Sequence, residues 1–444
     1  MRGAQPKHRP DGKIHVEKSK FSTCAYGCAN NSAILTQVVF SFLFHFSLVI
    51  AVAPLFRPVA LGIYALFFMV GVVCALVLPT LSLFLAKEIG VRPLLVGIPF
   101  AGIALASMAY NQLIGHWSDG LRDRRPLIAV CCLVGMLVCL LLAYSREYWI
   151  VAATVICLFS LAMVSFSQML AYSLDYAERN IPAERIPLFN AIVRAQIAIA
   201  WVAGPPAGFL LASFMGFTFM YLLAAAMFVV VAVFSLKLLP HLDSHVHHLE
   251  SFEKVAVQPL SRLQKQALWL SLIGFSLMWG ANNAYLISMP LHFKDNLGVG
   301  TEWVGWVMGT CAFLEIPFML LAGHYAARTS IISLVKLAGL SALTLYLGIY
   351  FANALWQFFA LQIFNAMFIG ILAGLGVSVI QDLLPGRTGT ASALYTNTTH
   401  MGNLISSLLV GVVADIYGYH QVFIVNLLII ALAILAFGRV KIKG

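Results

Sequence analysis

Charged residues are scarce in this chain. Asp, Glu, Lys and Arg together make up 10% of its 444 residues, whereas about a quarter is usual for a soluble domain. Hydrophobic residues make up 61%, and the mean hydropathy is +0.91. So few charges cannot cover so much apolar surface in water, which excludes a soluble fold and indicates that lipid is the solvent.

Cysteine and histidine patterns that bind metal are also missing. Most of the eight cysteines lie inside apolar runs, where thiols act as small hydrophobic side chains. Cys24 and Cys28 have no second pair, so their spacing predicts neither a zinc site nor a disulfide framework. The histidines between His241 and His248 lack matching carboxylates or thiols and are interpreted as part of a solvated linker. We expect no metal and no cofactor.

Other protein classes are excluded by further absences. A membrane-embedded enzyme would need His and Asp clustered at one membrane face, and here they are scattered. A sensor would carry a soluble output domain, and no polar segment is long enough for one. The basic residues behind the net charge of +10 are not clustered with aromatic residues, so no nucleic-acid surface is expected.

Twelve apolar runs dominate the chain instead. Each is roughly 20 residues or longer, enough for a helix to cross a bilayer core of about 30 Å. The alternation that a membrane barrel needs is absent, so we predict an all-α integral membrane protein. The runs lie near 61–86, 94–115, 126–145, 148–171, 189–213, 216–238, 266–291, 302–325, 330–350, 355–380, 388–414 and 418–438.

The longest polar break divides these runs into six and six. It predicts a first six-helix half at 61–239, a cytoplasmic linker at 240–265 and a second half at 266–440. A weak internal repeat supports the division, because Gly323 follows the eighth run as Gly115 follows the second. Two such halves with a substrate site between them near the midplane are typical of carriers.

Lys and Arg residues between the runs predict the orientation. Fourteen lie in the C-terminal tail and in loops on the side of the core termini, and four lie in the opposite loops. The positive-inside rule therefore predicts that both core termini are cytoplasmic.

The first 60 residues do not fit this scheme. Residues 1–33 are polar and basic, and 34–56 form an apolar run interrupted by His45 and Pro54. As a thirteenth span this run would place six basic residues outside, and no clear cleavage site marks a secretory signal. We interpret 1–60 as an extension with an interfacial helix, or as the product of a start codon placed too far upstream.

The loop between the second and third runs carries a motif. Three residues separate Gly115 from Asp119, and Arg124 and Arg125 follow. Glycine lets two helices approach closely, and an aspartate accepts hydrogen bonds from a helix N-terminus or an arginine. The arrangement resembles the cytoplasmic motif of major facilitator transporters, although Gly120 and Arg122 depart from the usual pattern. The resemblance implies a conformational clamp and the fold of that superfamily: twelve helices in two six-helix halves.

Ionisable residues inside apolar runs are candidates for function because their insertion is costly. Glu315 is the deepest acid, and burial favours the protonated form that a proton carrier needs near neutral pH. It could equally make a structural hydrogen bond. Arg194 could bind substrate, pair with Asp175 or Asp382, or extend to the membrane surface. Glu315, Asp382 and Asp175 are the candidates for proton coupling.

The fifth run contains Gly204-Pro205-Pro206-Ala207-Gly208. Proline removes a helix hydrogen bond, and glycine allows tight packing, so a kink is expected. Gly-Pro-x-x-Gly at this place resembles the motif associated with exporters of the major facilitator superfamily.

Amide and aromatic residues recur in the runs expected to meet at the centre. Amides can hydrogen-bond neutral hydroxyl groups, and aromatic faces can cover the apolar side of a sugar ring. Each such residue can also hold two helices together. As a set they favour a neutral, polyhydroxylated substrate, with these candidates for substrate binding: Arg194, Gln168, Gln196, Trp279, Asn282, Asn283, Gln362, Asn365 and Asn397.

Several longer blocks resemble the bacterial sugar efflux transporter family over about residues 62–440. They include 78–85, 194–196 with 204–206, 308–310, 314–317 and 381–387. The resemblance implies export of sugars or glycoside-like molecules across the inner membrane by proton antiport. Ser288 and Leu174 depart from it, standing where an acid and a base are expected.

One alternative within the transporters remains open. A multidrug/proton antiporter would use Glu315 and the aromatic residues for lipophilic cations, although few acids are available for a cation site. In either case we expect a non-enzymatic, monomeric, multi-pass carrier whose partners are its small-molecule substrate, protons and the lipid bilayer.

Overall fold

The computed structural model describes residues 53–118, 121, 123–242, 261–326, 328–385 and 387–440. The chain divides into two compact units, residues 1–57 and 58–444. In the first, Ala53–Phe56 form a single turn of 3-10 helix. The predicted interfacial helix at 34–56 lies almost entirely outside the described residues, as does the linker between 243 and 260.

The second unit is built from twelve long helices within the ranges just given. The first six are α1 Pro58–Leu83, α2 Pro93–Ser118, α3 Arg125–Tyr144, α4 Tyr148–Asn180, α5 Ile186–Phe214 and α6 Gly216–Lys237. The other six are α7 Arg262–His292, α8 Glu302–Ala326, α9 Ile331–Phe351, α10 Leu355–Leu383, α11 Thr388–Tyr417 and α12 Val422–Gly438.

Eleven helices in the described part of the chain are long and apolar enough to cross a membrane. The exception is α7, which has ample length at 31 residues but carries polar residues at its start and in its middle. The all-α membrane fold predicted from the sequence is confirmed. Helix ends differ from the predicted ones where amphipathic turns continue a span. For example, α4 extends to Asn180 because Tyr172 and Tyr176 are buried.

The two six-helix halves use the same helix pairs. In the first half α1 packs on α5, α3 on α6 and α2 on α4; in the second, α7 packs on α11, α9 on α12 and α8 on α10. The first helix of each half also ends alike. A π-helical turn, Phe84–Ile89 or Phe293–Leu297, is followed by a left-handed glycine, Gly90 or Gly298. The pairing therefore repeats with an offset of six helices, which a local sequence comparison shows only weakly.

Most contacts between the halves run along two seams, α2 against α11 and α5 against α8, and a smaller contact joins α1 to α7. We call the membrane face with residues 123–124, 181–185 and 239–242 the basic face, and the face with residues 90–92, 145–147 and 298–301 the opposite face. Both seams are tightest near the opposite face, where Gly97 meets the Ser407 carbonyl and Gly305 meets Pro205.

Close backbone contact also holds α7 to α11 within the second half. A Cβ atom added at Gly402 would lie 2.7 Å from the Gly280 nitrogen and would also overlap the Ser276 carbonyl oxygen. Neither neighbour is a flexible side-chain end, so the two helices would have to separate.

We therefore predict that Gly402→Ala destabilises the protein by about 1–3 kcal/mol, the usual cost of overpacking. The measurement is the melting temperature of the purified protein in detergent. The control is Gly323→Ala, because an added Cβ there meets nothing within 4 Å. A control that melts as early as Gly402→Ala would contradict this account.

Candidate functional site

The burial of the seam helices indicates a cavity between the halves that opens at the basic face. Residues that recur every three or four positions form the inner side of α2, and their burial changes along the helix. Phe100, Ala104 and Ser107 on this side are buried near the opposite face, whereas Asn111, the next residue toward the basic face, is exposed. The outer side of α2 is marked instead by exposed apolar residues such as Leu113.

Three other seam helices show the same change from buried to exposed. On α5, Pro205 is buried, Trp201 is partly exposed and Arg194 is exposed. On α8, Met308 and Cys311 are buried, and Glu315 is partly exposed. On α11 the inner side is buried at Val410 and Ser407 and exposed at Thr396. The halves therefore touch at the opposite face and separate toward the basic face.

The closed end is fastened by hydrogen bonds as well as by glycine contacts. The Leu94 amide, at the N-terminus of α2, donates to Asp415 Oδ1 at the end of α11 over 3.3 Å. The carboxylate there also meets the positive end of the α2 dipole. At the other seam, the hydroxyls of Ser213 and Thr301 lie 3.3 Å apart. Asp415 was not among the predicted residues; its position in the last turn of an apolar run was the available signal.

The exporter-like motif of α5 forms part of the second seam. Gly204 and Gly208 face α1, where an added Cβ at Gly204 would lie 2.5 Å from Ala75 Cβ. Pro205 and Pro206 face α8 at Gly305 and Gly309. The motif thus packs one helix on two neighbours at once, on its glycine side within the half and on its proline side across the seam.

Glu315 lies at the middle of α8, between the side facing α5 and the side facing α10. Its carbonyl oxygen would be 3.1 Å from a Cβ atom at Gly370, so α8 and α10 are nearly in backbone contact at this level. The residue is partly exposed, and it lies on the side of α8 that lines the cavity. A carboxyl group at this depth can exchange a proton with water that enters from the basic face.

Arg194, Asn282 and Trp279 line the same cavity. Arg194 is exposed on α5, and the other two are partly exposed on α7. Trp279 Nε1 donates to Tyr395 Oη over 3.2 Å, and Tyr395 Oη donates to the Leu372 carbonyl over 2.6 Å. The Trp279 ring is therefore held in place by two further helices.

Other predicted substrate residues lie between helices. Tyr285 Oη donates to Gln362 Oε1 over 3.3 Å, and Asn365 Nδ2 donates to the same oxygen over 2.9 Å; all three residues are buried. Asn283 Nδ2 donates to the hydroxyls of Ser406 and Ser407 over 2.9 and 3.0 Å. These amides hold α7 to α10 and α11.

A third set lies away from the cavity. Gln196 Nε2 donates within its own helix to the Ile192 carbonyl over 3.4 Å. Asn397 is exposed on the side of α11 that turns away from α7. Asp382 is exposed in the last turn of α10, near the basic face. Of the two residues that depart from the family pattern, Ser288 is buried, and Leu174 is exposed on the inner side of α4.

The clamp at the basic face contains residues that were predicted for other roles. Arg124 Nη1 donates to Gln168 Oε1 over 2.9 Å, and Arg124 Nε lies 3.4 Å from Asp175 Oδ2. Gln168 Nε2 donates to Ser118 Oγ over 2.9 Å. The arginine thus ties the end of α2 to α4. Gln168 and Asp175 contact this arginine, which differs from the roles predicted for them in substrate binding and proton coupling. Ser118 was missed, and its only signal was a hydroxyl at the end of an apolar run.

The remaining clamp residues fasten the start of the linker. Arg125 contacts both carboxylate oxygens of Asp123 and donates to the Leu239 carbonyl over 2.9 Å. His241 Nδ1 lies 3.1 Å from Asp123 Oδ2. Gly115 has open space around it, and Asp119 lies outside the described residues.

In the part of the chain that the structure describes, no group of three His, Cys, Asp or Glu residues is placed to hold a metal.

Known proteins match this chain over nearly all of the helical unit. The pattern that defines the Major Facilitator Superfamily matches residues 63–356 and 334–442. Sugar efflux transporter A of Dickeya chrysanthemi is 38% identical over 374 residues, which are 84% of this chain and 93% of that protein. Sugar efflux transporter A of Escherichia coli (strain K12) is 36% identical over 384 residues, 86% of this chain and 96% of that protein. The chain belongs to the bacterial sugar efflux transporter family of this superfamily.

Solved structures agree with the fold of this sugar efflux family member. A crystal structure of the nucleoside transporter NupG superposes with a TM-score of 0.70 at 15% identity, covering 87% of this chain and 100% of that one. A bacterial homologue of the human lysosomal transporter Spinster, in an inward-facing and unoccupied conformation, gives 0.69 at 12% identity, covering 86% and 96%. At such identities the likeness shows the fold alone.

The clamp of this transporter yields a prediction about stability. Gln168→Ala removes an acceptor from the half-buried Arg124 guanidinium and a donor from Ser118. We expect a loss of about 1–3 kcal/mol and a lower melting temperature, with the KM for sugar unchanged. The control is Gln196→Ala, which breaks one weak bond within a helix and is expected to stay within about 0.5 kcal/mol of wild type. A raised KM with an unchanged melting temperature would show instead that Gln168 binds substrate in the cavity.

Asp123 gives the clamp a dependence on pH. Burial raises the pKa of its carboxyl, but hydrogen bonds from Arg125 and His241 and the Arg125 charge outweigh burial and bring the pKa below its ordinary value of 3.8. A lowered pKa means that the ionised form is favoured by folding. Its contribution is therefore present above about pH 4 and is lost as the pH falls through the lowered value.

We therefore expect Asp123→Asn to lower the melting temperature at pH 6, and the difference from wild type to shrink as the pH falls below about 4. The measurement is a melting curve at half-unit pH steps between 3 and 6. Glu184→Gln, an exposed acid on the same face, is the control. A difference that stays constant over this range would show that Asp123 does not titrate against its partners.

Proposed function

We propose that this protein exports sugars or glycoside-like molecules across the bacterial inner membrane by proton antiport, with alternating access to its central cavity. The observation that carries the proposal is a cavity closed at one membrane face, open at the other and lined by a carboxyl group at mid-depth. Such a cavity serves a carrier, because a substrate can enter from one side only. Family membership supports sugar as the cargo.

The open end of the cavity is proposed to face the cytoplasm. Arg124, Arg125, Arg179 and Arg185 all lie at the basic face. The positive-inside rule places such loops in the cytoplasm. In this orientation the structure is ready to take up a substrate from inside the cell, which is the first step of export.

Rigid-body motion of the halves supplies the alternating access in this proposal. Each half keeps its own helix pairs, whereas the contacts that fasten the seams near the opposite face are glycine against backbone, one helix cap and one pair of hydroxyls. Rocking the halves would open these contacts and close the basic face. The cavity lies within one chain, so we propose that the monomer transports.

Sugar recognition is assigned to the polar and aromatic groups of the cavity. Trp279, fixed by Tyr395, offers a ring face to the C–H side of a sugar, and the amide of Asn282 can bond its hydroxyls. Arg194 on the other half adds donors that suit neutral oxygen atoms as well as acids. Two relatives named for sugar efflux support this substrate class.

Glu315 is the proposed site of proton coupling. It is the cavity acid among the described residues of the inner stripes, and the other two predicted acids lie elsewhere: Asp175 with Arg124, and Asp382 at the end of α10. A carboxyl that must bind a proton on one side and release it on the other needs access from both sides in turn, which the position at mid-depth provides.

The test is uptake of labelled lactose and glucose by inverted membrane vesicles with and without an inside-acid pH gradient. Wild type is expected to accumulate sugar only with the gradient. Glu315→Gln, which removes the titratable group and keeps its shape, is expected to lose this accumulation but to retain sugar exchange at equilibrium within about threefold, because substrate binding remains intact.

Asp382→Asn is the matched control and is expected to behave as wild type. Gradient-driven accumulation by Glu315→Gln would remove Glu315 from coupling. Sugar uptake by wild type that does not depend on the pH gradient would refute proton antiport. Accumulation of cationic dyes in place of sugars would identify a multidrug antiporter instead.

A further inference from the structure

A polar pair on the wall of the cavity has no part in the seams, the clamp or the proposed coupling site. Ser167 on α4 and Asn111 on α2 are both exposed, and Ser167 Oγ donates to Asn111 Oδ1 over 3.1 Å. Ser167 is one of the polar residues that the sequence places in the runs expected to meet at the centre, whereas Asn111 is not among the residues it singled out. The pair joins two helices of the first half.

Both residues belong to the inner sides of their helices. On α2, Asn111 continues the stripe of Phe100, Ala104 and Ser107, which is buried near the opposite face. On α4, Ser167 lies seven residues after the buried Ser160, which is two helical turns along the same side. The sides of α2 and α4 that carry the pair therefore change from buried to exposed at the depth where the cavity begins.

The lipid-facing side of α2 carries different residues. Leu105, Leu113 and Trp117 are exposed there by 54%, 68% and 61%. An amide exposed to hydrocarbon would lose its hydrogen bonds to water, at a cost that an exposed leucine does not have. Asn111 lies on the opposite side of α2 from these residues, where a water-filled cavity that a substrate can enter would spare its amide this cost.

The Asn111–Ser167 pair differs from the amides between helices because some of its hydrogen-bond donors and acceptors are unused. Asn283 is shared among three acceptors on α11, and Gln362 and Asn365 bond each other in a buried cluster. In the Asn111–Ser167 pair the hydrogen bond uses one donor and one acceptor. Within the described ranges the structure shows no hydrogen bond from Asn111 Nδ2, which leaves two N–H donors facing the cavity.

The remaining groups match a pair of neighbouring hydroxyls. Each sugar hydroxyl can donate once and accept twice. Asn111 Nδ2 can donate to one hydroxyl, and Ser167 Oγ can accept from the next, because its own proton is held by Asn111. Leu174, two turns from Ser167 on the same side of α4 and 41% exposed, adds an apolar surface beside them. Polar and apolar groups side by side fit a sugar ring or a glycoside.

We infer that Asn111 and Ser167 form a subsite that binds adjacent hydroxyl groups of the substrate and sets the selectivity of the transporter among sugars. The inference rests on the proposed function, since it requires a sugar as cargo. It names the first half of the protein as the part that distinguishes one polyol from another.

The experiment measures labelled lactose uptake by inverted vesicles, with glucose and its deoxy analogues as unlabelled competitors. Asn111→Ala and Ser167→Ala are each expected to raise the KM for lactose about 5–10-fold, with the maximal rate changed less than twofold. The double variant is expected to be no worse than about the stronger single variant, because the two residues act as one unit.

The decisive readout is selectivity. In wild type, at least one deoxy analogue is expected to compete several-fold more weakly than glucose, and this ratio is expected to approach one in both single variants. A residue that only joined α2 to α4 would lower the melting temperature without changing this ratio.

The controls are Gln112→Ala, next to Asn111 on α2, and Ser173→Ala, whose hydroxyl bonds the Leu170 carbonyl within α4 and is buried. Both are expected to keep the wild-type KM and selectivity. An unchanged KM and unchanged selectivity in Asn111→Ala and Ser167→Ala would overturn the subsite. Wild-type vesicles that take up no sugar at all would instead refute the proposed function, and the subsite with it.

Discussion

The lipid solvent is the constraint on which the rest of this structure depends. Hydrocarbon offers no hydrogen bonds, so every span is a helix that satisfies its own backbone, and the few polar side chains must find partners inside the protein or water in a cavity. Exposed surface toward lipid consists of residues such as Leu113, Trp117 and Phe313. A polar residue in a span of this protein therefore has a specific environment. The question for each one is which of three environments it occupies: a seam or helix contact, the clamp at the basic face, or the cavity.

Close packing replaces the hydrophobic effect as the force that joins helices, because lipid is as apolar as the side chains it would displace. Small residues decide where helices meet: Gly402 against Gly280 within a half, and Gly97 against Ser407 or Gly305 against Pro205 across the seams. The contacts within a half repeat in the other half, with the same pairs and the same glycine-terminated turn after the first helix. The contacts across the seams gather near one membrane face. Two rigid halves joined mainly at one end are the mechanical basis of the proposed transport cycle.

Hydrogen bonds sort the polar residues into structural and functional sets. Gln362 and Asn365 are buried with their partners, Asn283 is hydrogen-bonded between α7 and α11, and Gln168 and Asp175 bind Arg124. Arg194, Asn111 and Ser167 are exposed on the inner sides of their helices, and Asn282 and Glu315 are partly exposed there. The proposed cavity thus has an arginine, a serine and an amide on one half and a carboxyl, an amide and a tryptophan on the other. Residues on both halves can hold one substrate while the halves move around it.

The sequence by itself determined the solvent, the fold class, the family and, except for the end of α4, the helices to within a few residues, because scarce charge, apolar runs of spanning length and motif spacing are local properties. It also singled out Glu315 and Arg194, since an ionisable residue inside an apolar run is visible in one dimension. It could not separate Asn282 from Asn283, which are neighbours in the chain and face a cavity and a helix. Nor could it show Asn111 or Ser118. Only the tertiary structure decided these cases, because the rotation of each helix about its axis is set by the glycine contacts and seams that neighbouring helices make.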